Sequence, residues 1–183
     1  MKTTARNKRA IVLGVTGSIA AYKACELVRL FVKNGDDVHV VMTQSACEFV
    51  TPLTFRTLSR NPVACRQFDA PADWRPEHIS LAELADVVVV APATANIIAK
   101  MAHGMADDLL SSILLATRAP IVVAPAMNSG MYENAATQSN LGTLRSRGVN
   151  VVEPAAGELA CGTSGKGRLA ELSDILAAAA MRP

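Results

Sequence analysis

The stretch Gly14-Val-Thr-Gly17-Ser18 follows an apolar run and leads into a segment of helical spacing. That arrangement aims backbone N–H groups, a hydroxyl and a helix dipole at an anion, phosphate above all. The same glycines also suit a plain tight turn between a strand and a helix. The spacing Gly14-x-x-Gly17-x-x-Ala20 is not the GxGxxG dinucleotide fingerprint, and no Gly-Lys-Ser/Thr follows as in a Walker loop. The next apolar run ends in Thr43-Gln44-Ser45 rather than in an acid that would hold a ribose diol, which disfavours a dinucleotide. Ser45, Thr94 and Asn96, with Ala95 leaving room, offer hydroxyl and amide groups to a flat polar ring or its ribityl chain. A mononucleotide flavin fits that pattern, although each of these residues taken singly is a common helix N-cap.

These residues share a position: each follows a run that reads as a buried strand. Ala10 to Val15, Val38 to Met42, Val87 to Ala91 and Ile121 to Ala124 are rich in valine and isoleucine, and Val149 to Val152 is a weaker candidate. Between the first two, Ala20, Ala24, Leu27, Val28 and Phe31 recur at helical spacing within Ile19 to Asn34. A last helix is expected from near Ser173 through the alanine run Ala177 to Ala180. The implied fold is α/β: a three-layer, doubly wound, Rossmann-like parallel sheet of about six strands. Open parallel sheets bind ligands beyond the carboxyl ends of their strands, where the residues above fall. Residues 153–168, glycine-rich and without periodicity, read as one long irregular loop of the kind that is functional or mobile.

Composition narrows the classes. Half of the 183 residues are hydrophobic, only 19% are charged and mean hydropathy is +0.25, which excludes intrinsic disorder. Residues 1–9 form a basic tail carrying Lys2, Arg6, Lys8 and Arg9; the other 14 basic residues face 16 acidic ones, and aromatics are only 4%. No nucleic-acid surface is expected from that distribution. No apolar run approaches the roughly 18 residues that span a bilayer, and Met1 to Ala10 has no signal-peptide core. Cys25, Cys47, Cys65 and Cys161 show no CxxC pairing and lie far from the histidines, so reduced thiols in a cytoplasmic protein and no metal site are expected. Residues 10–183 read as one domain.

From about Ala10 to Ile175 the sequence resembles the homo-oligomeric flavin-containing cysteine decarboxylases. The carriers are Gly17-Ser-Ile-Ala-Ala-Tyr-Lys23, His78-Ile-Ser-Leu81, Ala91-Pro-Ala-Thr-Ala-Asn96, Pro125-Ala-Met-Asn128 and Leu159-Ala-Cys-Gly-x-x-Gly-x-Gly-Arg168. Thr94 stands where many relatives carry serine, and the hydroxyl is retained. The resemblance implies FMN, held by Gly17, Ser18, Ile19, Ser45, Thr94, Ala95 and Asn96, with Ala126 and Met127 bordering its ring. It implies transient oxidation of a cysteine-derived thiol, loss of CO2 and re-reduction. His78 would be the base, Asn128 the amide on the substrate carboxylate or amide, and Cys161 the acid of the reductive half. From the residues alone, His78 reads equally as a surface or capping residue, Asn128 as a turn residue and Met127 as core.

Relatives that modify peptide C-terminal cysteines lack a cysteine at the Cys161 position, so its presence favours the branch that converts 4'-phosphopantothenoylcysteine to 4'-phosphopantetheine in coenzyme A biosynthesis. Lys166 and Arg168 are candidates for the substrate phosphate on charge alone. Family members form trimers, some of them dodecamers, with the flavin site at a subunit interface. In many bacteria the decarboxylase is joined to a synthetase domain for which 183 residues leave no room. Peptidyl-cysteine oxidation, flavin prenyl transfer and a non-enzymatic phosphatase-regulatory role are the competing readings.

Overall fold

The computed structural model describes residues 8–68, 75–158, 162 and 164–181. In chain order the elements are β1 (Ala10–Val15), α1 (Ala21–Lys33), β2 (Asp37–Met42), α2 (Gln44–Cys47), α3 (Pro52–Ser59), β3 (Val63–Ala64), α4 (Glu77–Leu84), β4 (Val87–Ala93), α5 (Ala95–His103), α6 (Leu109–Ala116), β5 (Ile121–Pro125), α7 (Ser129–Glu133), α8 (Ala135–Ser146), β6 (Asn150–Val151), β7 (Ala155–Glu158), β8 (Ser164–Arg168) and α9 (Leu172–Ala180). Six strands form one parallel sheet in the order β3-β2-β1-β4-β5-β6. The order reverses between β1 and β4, and that switch point is where open sheets of this kind leave a crevice.

Strands β1 and β4 are apolar and buried throughout because both of their faces are covered. Ile11, Leu13 and Val15 of β1, with Val87, Val89 and Ala91 of β4, face a core shared with α1, α3 and α9. Val12, Val88 and Val90 point the other way, into a core with α4, α5, α6 and α8. This alternation is the strand period of two expressed on two buried layers. On α1 the buried set is Ala21, Ala24, Leu27, Val28 and Phe31, and Ala20 at its start is buried in the same core, so the stripe that the spacing predicts gains Ala21. Gly14, inside β1, is a packing residue: a Cβ there would lie 2.6 Å from Leu110 Cδ1 of α6.

One expectation needs correction. The segment 153–168 is not one irregular loop: β7 and β8 pair antiparallel as a separate two-stranded ribbon. Glycine alternation on β8 hides the strand from a hydropathy reading, since its inner positions are small in order to lie close to other backbone. The sheet's edge strand β3 is also illegible in the sequence, because two half-buried residues carry no period. Among the described residues no helix is long and apolar enough to cross a membrane.

Candidate functional site

The turn after β1 is tied to the turn after β4 across the switch point by one buried hydroxyl. Thr16 Oγ1 donates to the Pro92 carbonyl at 2.7 Å and accepts the Thr94 N–H at 3.0 Å. Thr94 Oγ1 in turn accepts from Ile97 N–H and caps α5. Ser45, in the first turn of α2, closes the third side. A Cβ on Gly17 would sit 2.4 Å from Ser45 Cβ, so only glycine allows the turns after β1 and β2 to meet. Helix α1 has no side-chain cap at Ala20 and no acidic residue in its first turn, leaving the positive end of its dipole uncompensated. Ser18 stands there, its Oγ accepting from Ala20 N–H at 3.3 Å.

A cavity of about 600 Å³ opens beside this helix end, lined by Ser18, Ile19, Tyr22, Lys23, Ala126, Met127, Asn128, Glu158, Gly167 and Arg168 among others. That volume falls within the ordinary range for cofactor and small-molecule sites. Its far wall is made by β8 lying on the segment after β5. Met127 N–H donates to the Gly167 carbonyl at 2.9 Å. Gly167 has φ +150°, and a Cβ on it would lie 2.2 Å from Met127 O, so both its conformation and its contact require glycine. Asn128 Oδ1 accepts Gly130 N–H at 2.8 Å, holding the amide at the cavity wall.

The ribbon is braced from outside the cavity by Glu153. Its carboxylate accepts from Tyr132 Oη at 2.8 Å and from Lys166 Nζ at 2.8 Å, and it pairs with Arg145. Lys166 also lies 5.4 Å over the Tyr132 ring centroid. The hydrogen bond from Lys166, against a smaller opposing effect of burial and helped by Tyr132, holds the Glu153 carboxyl below the usual carboxylate range. Burial, and then the Glu153 carboxylate, push the Tyr132 phenol up.

The structure therefore brings Ser18, Ile19, Ala126, Met127 and Asn128 to one crevice, while Gly17, just before them, packs against Ser45 and does not line it. Ser45 and Thr94 stand behind it and fix its turns, while Ala95 and Asn96 open α5, Asn96 exposed. His78 does not line this cavity; it is half-buried in the first turn of α4, a helix that packs against α6. Cys161 lies outside the described residues. Both cations picked on charge are ion-paired, Arg168 with Glu171 at 2.8 Å and Lys166 with Glu153 at 2.8 Å; Arg168 also lines the cavity and Lys166 does not. Residue types and spacing do not single out Thr16, Tyr22, Lys23 or Glu153. Tyr22 and Lys23 sit within the quoted Gly17–Lys23 motif, one helical turn past Ser18, and that position is the available signal. Glu153 gives none, its partners being 8 to 21 residues away.

The sheet order, with an uncapped helix start and a ligand-sized cavity at its switch point, defines a Rossmann-like α/β protein. The chain belongs to the flavoprotein family, whose model matches residues 1–182. The coenzyme A biosynthesis bifunctional protein CoaBC of Vibrio parahaemolyticus is 51% identical over 93% of this chain and 42% of its own length. The protein of that name in Bacillus subtilis is 48% identical over 93% of this chain and 42% of its own. The chain thus spans less than half the length of these curated relatives. Among solved structures, a mutant PPC decarboxylase in complex with pantothenoylaminoethenethiol is 33% identical, with a TM-score of 0.82 over 93% of this chain and 96% of that one. The FMN-dependent cysteine decarboxylase SpaF is 30% identical, with a TM-score of 0.79 over 95% and 98%.

Proposed function

We propose that this chain is an FMN-dependent carboxy-lyase that converts 4'-phosphopantothenoylcysteine to 4'-phosphopantetheine in coenzyme A biosynthesis, acting in the cytoplasm. The observation that carries the reading is the shared cavity. The anion-accepting start of α1 and the Ala126-Met127-Asn128 segment line one space, so a phosphorylated ring and a reacting carboxylate are held side by side. The lining also fits FMN: the uncompensated α1 terminus at Ser18 and Ile19 suits a phosphate, and the apolar side chains of Ala126 and Met127 suit a planar ring. Bound there, FMN supplies a two-electron acceptor for the substrate thiol and a donor for its re-reduction, with no net redox change.

The protein's own groups do the rest. Gly17, Ser18 and Ile19 hold the cofactor phosphate end, and Ser45, Thr94, Ala95 and Asn96 shape its surroundings. Asn128, its Oδ1 anchored on Gly130 N–H, turns the Nδ2 donor to the substrate carboxylate. Lys23 and Arg168 are the cations at the cavity that meet the substrate phosphate. His78 takes the proton in the oxidising and decarboxylating half, and Cys161 returns one in the reductive half. Because His78 does not line the cavity of its own chain, it serves the site of a neighbouring copy in a homotrimer or a dodecamer. The same reading gives the chain a fused or separate phosphopantothenoylcysteine synthetase as partner.

Release of labelled CO2 from carboxyl-labelled substrate tests the assignment. His78→Asn should slow release by about 10²- to 10⁴-fold, the usual worth of a positioned base. His78→Asn and Asn128→Asp chains, each inactive, should regain about a quarter of wild-type activity when refolded together, since a heterologous interface then assembles some intact sites. Full CO2 release by His78→Asn, or mixtures as dead as either parent, would overturn these roles.

A further inference from the structure

Two thiols that the proposed chemistry does not use face each other between α2 and the end of β3. Cys47 Sγ and Cys65 Sγ are 3.9 Å apart, bridging the last residue of α2 and the residue after β3, and both cysteines are half-buried. The two segments are already joined, Gln44 Nε2 donating to the Cys65 carbonyl at 2.9 Å. A disulfide needs a separation of about 2.05 Å, a closure that side-chain rotation and a small helix shift supply. We propose that Cys47 and Cys65 form a reversible dithiol–disulfide pair, closed by a small-molecule disulfide such as oxidised glutathione, and that closing it weakens binding at the Gly17 turn. The second half of this inference rests on the FMN reading above.

The chemistry balances. One cysteine thiolate attacks the oxidised glutathione and expels one glutathione thiolate. The other cysteine then attacks the resulting mixed disulfide and expels the second, so that the protein loses two protons and two electrons and glutathione gains them. The mechanical consequence comes from the element each partner is attached to. Cys65 directly follows β3, which is paired to β2 in the main sheet through Val40↔Val63 and Val41↔Ala64. Cys47 belongs to a four-residue helix whose side-chain cap is Thr43. The shift therefore falls on α2, and α2 carries Ser45, the residue packed against Gly17 with no room for a methyl group. A helix drawn toward β3 takes Ser45 with it and opens the cradle. Cys25 is a built-in control: burial pushes its thiol up and keeps it unreactive.

The FMN-loaded protein is equilibrated in glutathione buffers of graded ratio, quenched with iodoacetamide and mapped by mass spectrometry, while FMN affinity is read by fluorescence. The expected result is a linked Cys47–Cys65 peptide, an alkylated Cys25, and FMN held about tenfold more weakly in the oxidised protein. By reciprocity, saturating FMN raises the reduction potential of the pair by about 30 mV. Cys47→Ser and Cys65→Ser proteins should keep reduced-state affinity at every ratio. Alkylation of both Cys47 and Cys65 in the most oxidising buffer would overturn the pair. A linked peptide with unchanged FMN affinity would overturn the switch. Absence of FMN binding by the fully reduced protein would instead refute the FMN reading, and the peptide map would still decide the pair.

Discussion

Gly17→Ala puts the cradle to a direct test. The new Cβ would lie 2.4 Å from Ser45 Cβ, 3.1 Å from its carbonyl carbon and 3.2 Å from its oxygen, where ordinary contact begins at 3.4 Å. Two of those three neighbours are backbone, so no rotamer change relieves the overlap, and the turns after β1 and β2 must separate by about 1 Å. Overpacking of this kind costs about 1–3 kcal/mol. Both turns sit on a half-exposed rim, so the apo protein relaxes by parting them and FMN binding must bring them back. The cost thus appears as a rise in FMN dissociation constant of about 5- to 150-fold, at 1.4 kcal/mol per decade. Gly14→Ala is the contrast: its overlap, 2.6 Å, is with the flexible end of Leu110 in the core. It should cost stability of about 1 kcal/mol and leave FMN affinity unchanged. Fluorescence titration with FMN and thermal melts of both apo proteins separate the two effects. Gly17→Ala with wild-type affinity and wild-type melting would refute the cradle.

Thr16→Val removes the hydroxyl bridging Pro92 O and Thr94 N–H while keeping the shape, so it should lower stability by about 1–3 kcal/mol, read by urea melts; an unchanged midpoint would contradict the bridge. Glu153 has its carboxyl held below the usual range, so the stability it adds is present above that range and lost as pH falls through its lowered value. Glu153→Gln should therefore melt lower than wild type at pH 7, by under about 1 kcal/mol given a half-exposed side chain, and the gap should close as pH falls below the ordinary carboxylate range. A gap constant across that range would remove the electrostatic account.

The sheet is legible in the sequence because valine-rich runs closed by Gly, Thr or Pro read as buried strands whose carboxyl ends carry the site residues, whereas the strand order that places the switch point rests on pairings between distant segments. Gly17, Ser18 and Asn128 emerge from that logic. Gly14 reads as part of the anion loop yet packs in the core, since a strand glycine under a leucine looks the same in sequence as a loop glycine. The ribbon escapes detection because its signature is backbone contact, Gly167 on Met127 O, rather than side-chain burial. Lys166 reads as a cavity cation for a related reason: its carboxylate partner Glu153 is 13 residues upstream on another segment. His78 is legible by motif alone, and its place in α4, away from the cavity, accords with the proposed need for a second chain.

The central claim is tested most directly by the mass of the product formed when the FMN-loaded protein meets 4'-phosphopantothenoylcysteine. The expected product is 4'-phosphopantetheine, the substrate less CO2, at full reduction, and with Cys161→Ser the product two hydrogens lighter. Recovery of unchanged substrate from a protein carrying stoichiometric FMN would contradict the proposed activity.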